Sequence, residues 1–441
     1  MPKFQQDEHQ ADVEQEGAEA PDPNGLTRGG LLKRGAGLAA AATVGGVVPG
    51  VAAGALPATG GGRLLRPRRR TFSGPAPVPP LIRSRRELES RGIRVETMTT
   101  NAPLPITQGG TTYAFAQETV WLDSNSFAVG RWDGSMSIFD FETGQYQGPL
   151  IQKAVNDPAE QGVQMITHLP GNAVVTSNDF SSIVLWASAS GQWTDLTALQ
   201  TYTYDSSLGY AVNGAWFQSG SPNTLVVGHS EGYISIWKYN PTTHALTFQR
   251  SVGLQNPNPV NPFNSHYMYG MAVVRDNPAY VVTGSDDGYI SIVQIPSGNI
   301  MSQTVYNPSA QRGINSVSVL NDKLLVAVCS VGHSDYNLWY YSINESNWSV
   351  SLLDKTNLIV DTSRAQVFNF DTIWGAYSGG PCWFASTEEG TLWMGTADST
   401  LHVIGYEILT VPVGSALAYQ GGPGRLVMVE SDLFQFITGA S

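Results

Sequence analysis

The C-terminal part of this 441-residue chain, from about residue 95 onward, is an internal repeat. One unit recurs: an apolar strand, a tight turn rich in Asp and Gly, and a second strand of alternating pattern. It is clearest at 126–144 (SFAVGRWDGSMSIFDFETG), 224–240 (TLVVGHSEGYISIWKYN) and 280–298 (YVVTGSDDGYISIVQIPSG). Weaker copies stand at 173–191, 324–344, 391–407 and 425–439. The turns fall near Asp133, Phe180, Glu231, Asp287, Asp335, Asp398 and Asp432. The first five intervals run from 47 to 63 residues and the last is shorter, as expected of four-stranded units with inserts.

The alternation has a physical meaning. In YISIWKY, Ile234, Ile236 and Tyr239 mark a strand buried on one or both faces. Asp-Gly between two strands supplies the positive backbone angles that a two-residue hairpin requires. A lone sheet of this kind leaves both faces bare, so the units must stack on one another. Composition agrees: 14% charged residues, 47 Gly, 26 Pro, 11 Trp and 18 Tyr describe a turn-rich all-β protein.

The segments GRWDGSMSIFDFETG (130–144) and TGSDDGYISIVQIPSG (283–298) resemble WD40 repeats, with an inner strand, an Asp-Gly turn, an outward strand and a terminal T/S-G turn. The terminal Trp-Asp dipeptide of such repeats is missing, with Trp186 and Trp237 near its place. Gly-His occurs in the repeats at His229 and at His333, and opens a unit at neither. The resemblance implies an all-β, seven-bladed β-propeller over 92–441. In such rings the N-terminal strand, here GIRVETMTT (92–100), completes the last blade and removes an exposed edge. WD40-like rings are mostly platforms rather than catalysts, so a binding or scaffold module is expected.

Ahead of the repeats stand three unlike segments. Residues 1–24, an acidic tail, carry seven acids against one Lys; residues 63–94 carry ten Arg against Glu87 and Glu89. Between them, 37–57 (GLAAAATVGGVVPGVAAGALP) has no charge and follows LTRGGLLKRG (26–35). That pair resembles a twin-arginine export leader: Thr27, Arg28, Leu32 and Lys33 fit the pattern, while Gly29 replaces its second Arg. Residues 25–60 are therefore expected to be an export signal or membrane anchor, with a cleavage site after Ala55. Residues 61–91, rich in Arg and Pro, are an extended linker. The expected location is extracytoplasmic, secreted or membrane-anchored, with membrane association through 25–94.

Residues 95–441 carry 27 acids and ten bases, which excludes nucleic acid as the natural partner. Cys329 and Cys382 have no metal spacing and are expected to be buried free thiols. The seven His form no recognised ligand motif, no Ser elbow is present, and neither a metal, a cofactor nor a catalytic set is expected from motif.

Two sets of residues could carry function. The turn acids Asp133, Asp179, Glu231, Asp286, Asp287, Asp335 and Asp398 would gather on one face, as an acidic platform or as caps of their own turns. The starts of the inner strands place Gln164, Asn213, Tyr269, Asn315 and Trp374 at one repeated position around the channel mouth. His266, Arg312 and Asp371 stand just upstream. Such a polar and aromatic rim suits a protein, peptide or glycan partner. The enzyme alternative, a hydrolase or lyase, would rest on His266, Arg312 and Asp371; a third possibility is a structural envelope protein. Trp132, Trp216, Trp339 and Trp383 are expected to pack between blades.

Overall fold

The computed structural model describes residues 81–82, 86, 93–98, 107–108, 111–112, 116–131, 134–143, 162–178, 180–258, 265–307, 313–328, 330–331, 336–358, 366–367, 370–377, 380–387, 391–397, 401–407, 416–420, 424–429 and 433–438. The leader, the acidic tail and most of the linker lie outside them, as do Arg312, Cys329 and the turn acids Asp133, Asp179, Asp335 and Asp398.

The chain folds as an all-β propeller. Its inner strands are β1 (Ala116–Trp121), β2 (Ile166–Leu169), β3 (Ala211–Phe217), β4 (Gly270–Arg275), β5 (Ile314–Leu320), β6 (Phe370–Tyr377) and β7 (Ala416–Gln420). Each neighbours the next, and β7 neighbours β1. The sheets that begin at β2, β3, β4, β5, β6 and β7 each have four strands or more. The sheet that begins at β1 has three, so six blades are complete where seven were expected. The repeat at 126–144 reads like the others because its first hairpin is present; its continuation at 144–161 lies outside the described residues.

Two short segments from the N-terminal side join the ring. Ile93–Met98 pairs antiparallel with Leu433–Thr438, and Leu81–Ile82 pairs parallel with Leu401–Glu407 as a fifth strand on that blade.

The interior strands whose burial is described, such as Tyr233–Asn240 and Tyr289–Gln294, are buried on both faces, which is why the repeats can only stack. Ile234 and Ile236 pack with Val281 and Val293 of the following blade. Trp237 and Tyr239 point the other way, onto Val175 and Leu185 of the preceding one. Each such side chain contributes about 1.5–3 kcal/mol of burial. Polar ties cross the same seams: the Trp193 indole donates to Asp123 at 2.8 Å, and the Tyr239 hydroxyl to the Pro170 carbonyl at 3.1 Å. Blades also approach closely where the second strand carries glycine. A methyl group built on Gly284 would lie 2.5 Å from Ile314 Cγ2 of the next blade.

The turns obey the sequence. Gly134, Gly232 and Gly288 have φ of 77°, 76° and 82°, the left-handed geometry that a residue with a Cβ resists. The outer strands share a feature the sequence does not announce. In four successive blades a bulge interrupts the outer pairing, after Leu185, Ile236, Ile292 and Tyr340. These edges expose Leu199, Phe248, Ile300 and Leu352, and a bulge twists such an edge away from intermolecular pairing. Cys382 is a free thiol, and burial pushes its pKa up to about 12, which makes it inert.

Candidate functional site: the central channel

The inner strands enclose a cavity of about 540 Å³. Its lining includes five of the sequence-predicted residues: Asn213, Tyr269, Asn315, Asp371 and Trp374. Gln164 is buried outside it, with its backbone N–H donating to the Ser177 hydroxyl at 3.0 Å. His266 is also outside it, held elsewhere.

The expected single ring of five does not form, and the reason is backbone register. A bulge follows the first residue of three inner strands, at Ala116/Glu118, Ala211/Asn213 and Ile314/Ser316. Asn315 is the extra residue in its strand, 1% exposed, so it does not stand where Asn213 stands. Strand pairing instead puts Glu118, Asn213, Gly270, Ser316 and Asp371 on one level, opposite Gly130, Gly228, Gly284, Ala327 and Ser386. Trp374 lies three residues further along, at the other end of the channel.

At the strand-start level the polar groups lace neighbouring strands together. Asn213 donates through Nδ2 to the Tyr269 carbonyl and accepts from Gly214 N–H at 2.7 Å. Asp371 accepts from the Ser316 hydroxyl at 3.0 Å, from Thr372 N–H at 2.8 Å and from Leu417 N–H at 3.0 Å. One carboxylate thus ties β5, β6 and β7. Tyr269 stacks on Tyr267 with ring centroids 5.3 Å apart.

The second level was missed by sequence reading. It consists of Trp121, His168, Trp216, Val273, Val319, Trp374 and Tyr419, each opposite an apolar residue of its second strand: Phe127, Val174, Leu225, Val281, Leu324, Trp383 and Leu426. All seven line the cavity. Three residues separate the levels, roughly 10 Å along a strand. Trp216, expected as packing, is therefore a channel residue, although its ring edge also meets Tyr239. Burial lowers the His168 pKa, with Asp123 opposing, and its ring meets Trp193 edge-on. The only signal for this level is spacing counted from the second strand, which bulges and loops of unequal length disguise.

The turn acids form no exposed platform where the structure describes the Asp pair. Asp286 and Asp287 are both fully buried, while Glu231 is exposed. Asp287 caps its own turn, accepting from Tyr289 N–H at 3.2 Å and the Ser285 hydroxyl at 2.5 Å. It also accepts from Asn256 N–H and from His266 Nδ1, each at 2.8 Å. Burial drives the Asp286 carboxyl pKa up to about 8; a Ser265 hydrogen bond opposes this and the Asp287 charge adds to it. His266 is thus a clamp on a turn, and the grouping of His266 with Asp371 as catalytic partners is not assembled. Among the described residues no three His, Cys, Asp or Glu side chains converge as metal ligands, and no helix is long and apolar enough to cross a membrane.

No protein-family profile and no curated protein matches this chain. Solved structures do. A chain of the crystal structure titled Mitotic Checkpoint Complex aligns with a TM-score of 0.54 at 15% identity, over 79% of this chain and 94% of that one. The β-propeller domain of Cps50 (Swd1) from Myceliophteria thermophila aligns with a TM-score of 0.51 at 10% identity, over 77% of this chain and 98% of that one. At such identities the likeness is one of fold, and it shows this chain to be a β-propeller.

Proposed function

We propose that this propeller is a non-catalytic binding and scaffold module that takes a protein partner on the face where its inner strands begin. The observation that carries this reading is the strand-start level, where Asn213, Ser316 and Asp371 are fixed by bonds between neighbouring strands. A face whose polar groups are held before a partner arrives loses little freedom on binding. Tyr269 adds an aromatic anchor of the kind that dominates interfaces. One of the similar solved structures is, by its title, part of a multi-protein complex, which supports the same use.

We also propose that the protein works outside the cytoplasm, sent there by residues 25–60, and that Ile93–Met98 closes the ring by completing the last blade. The twin-arginine-like leader supports the first and the pairing of that strand with Leu433–Thr438 supports the second.

The test is affinity capture from the native organism, with the full chain and an Asn213→Ala/Tyr269→Ala variant of equal melting temperature as baits. A protein retained by the parent and released by the variant supports the reading. Equal retention, or none by either, counts against it. Fractionation of a reporter fused to residues 1–60 tests export; a reporter that stays in the cytoplasm defeats that part.

A further inference from the structure

We propose that the aromatic end of the channel is a binding site for a neutral carbohydrate, separate from the partner-binding face. Three observations converge on it.

The first is shape. Trp121, His168, Trp216, Trp374 and Tyr419 surround one end of a cavity whose volume, about 540 Å³, is that of a small-molecule site. Flat apolar rings suit the C–H faces of a sugar. The second is charge. Among the described residues no Lys or Arg lines the cavity, so no fixed positive charge there favours an anionic ligand. Burial keeps His168 toward its neutral form. The carboxylates of Glu118 and Asp371 stand at the other level, roughly 10 Å away.

The third observation selects among uncharged and cationic ligands. The indole N–H groups of Trp121 and Trp216 and the hydroxyls of Thr119 and Thr167 are buried without a hydrogen-bond partner. All four residues line the cavity, on the wall made by β1, β2 and β3; Trp121 and Trp216 stand on the aromatic level, Thr167 next to it, and Thr119 between the two levels. Thr119 and Thr167 are 4% and 6% exposed. Buried polar groups in folded proteins are nearly always paired, so four orphans on one wall mark a place where the partner comes from outside. An indole N–H only donates, so it needs an acceptor. An organic cation would sit against the ring faces but leave these donors unanswered. A sugar hydroxyl both accepts from an indole and donates to a threonine. These atoms are closed off in the empty protein, so the side chains must turn for a ligand to reach them.

The test is titration of the full chain, followed by tryptophan fluorescence, with maltotriose, cellotriose and chitotriose. Choline and glucuronate serve as cationic and anionic comparisons. At least one neutral trisaccharide should bind saturably, with Kd on the order of 1 mM. Trp216→Phe keeps a ring but removes the N–H, and should weaken binding about three- to tenfold at unchanged melting temperature. Trp216→Ala should abolish it. The proposal is overturned if no neutral trisaccharide binds, if choline or glucuronate binds as well, or if Trp216→Phe binds like the parent. Protein capture by Trp216→Phe, measured in parallel, reports on the partner face separately, so failure of either site is distinguishable from failure of the other.

Discussion

The two ends of the channel are built on the same ring of inner strands, three residues apart, and they differ in which polar groups they leave unpaired: at the second end the Trp374 indole donates to the Ser318 carbonyl at 3.2 Å, but two other indoles do not. At the strand starts, Asn213, Ser316 and Asp371 spend their hydrogen bonds on neighbouring strands. At the other end, Trp121 and Trp216 present indole donors with no protein acceptor. The difference separates two kinds of work. Polar groups paired across strands hold a ring together and fix a surface, whereas polar groups left unpaired beside a cavity cost stability and await a ligand.

The sharpest way to break this comparison is Asp371→Ala. It removes an acceptor from Leu417 N–H, Thr372 N–H and the Ser316 hydroxyl at once. Leu417 N–H is left without its acceptor, while Ser316 and Thr372 keep the bonds between them, so the change should cost about 1–3 kcal/mol, read as a lower denaturation midpoint at unchanged slope. Trp216→Phe at the other end should shift stability by less than about 0.5 kcal/mol. If Asp371→Ala were as stable as the parent, the strand-start level would not be the frame described here.

The buried turn behind Tyr269 sharpens the same contrast through pH. Asp286 N–H donates to the Tyr267 carbonyl, so this turn buttresses the strand-start end. Its carboxyl has a folded pKa of about 8 against an ordinary 3.8. Between those values the folded protein keeps a proton that the unfolded chain has lost, so stability falls as pH rises from about 4 to about 8 and then levels. Asp286→Asn removes that titration while keeping the shape. It should be more stable than the parent at pH 8 and differ little from it at pH 4, in paired melts across that range. A gain that is equal at both pH values would show that the carboxyl is not held protonated.

Much of the fold was legible because the repeat writes its physics in short segments. The Gly of each Asp-Gly turn has the positive φ that the hairpin demanded, and Ile234, Ile236 and Tyr239 are buried between blades. The blade count was overdrawn at 126–144, where one good hairpin stood for a whole four-stranded sheet. The site was only partly legible. Asn213 and Asp371 do share a level, but a bulge separates Asn315 from it and three residues of strand separate Trp374. A bulge is a backbone event with no fixed residue signature, so each one shifts every later position by one and turns its side chain to the opposite face. The same blindness hid the level of Trp121, His168 and Trp216. His266 failed for another reason: its partner, Asp287, is 21 residues away in sequence and shares no motif with it.

The smallest expected effect bears most directly on what the comparison means. Thr119→Val swaps a hydroxyl for a methyl group of similar shape at a position 4% exposed. At the strand starts an equivalent loss, Ser316→Ala, removes a bonded hydroxyl and should destabilise by about 1 kcal/mol. At Thr119 the hydroxyl has no partner, so the folded protein now bears its desolvation without return. Thr119→Val should therefore leave stability unchanged or raise it by up to about 1 kcal/mol in urea denaturation. A residue that stabilises when removed is being kept for something other than the fold. A loss of more than about 0.5 kcal/mol would mean that ordered water already satisfies this wall in the folded protein. That wall would then be frame, like the bonded groups of Ser316 and Asp371.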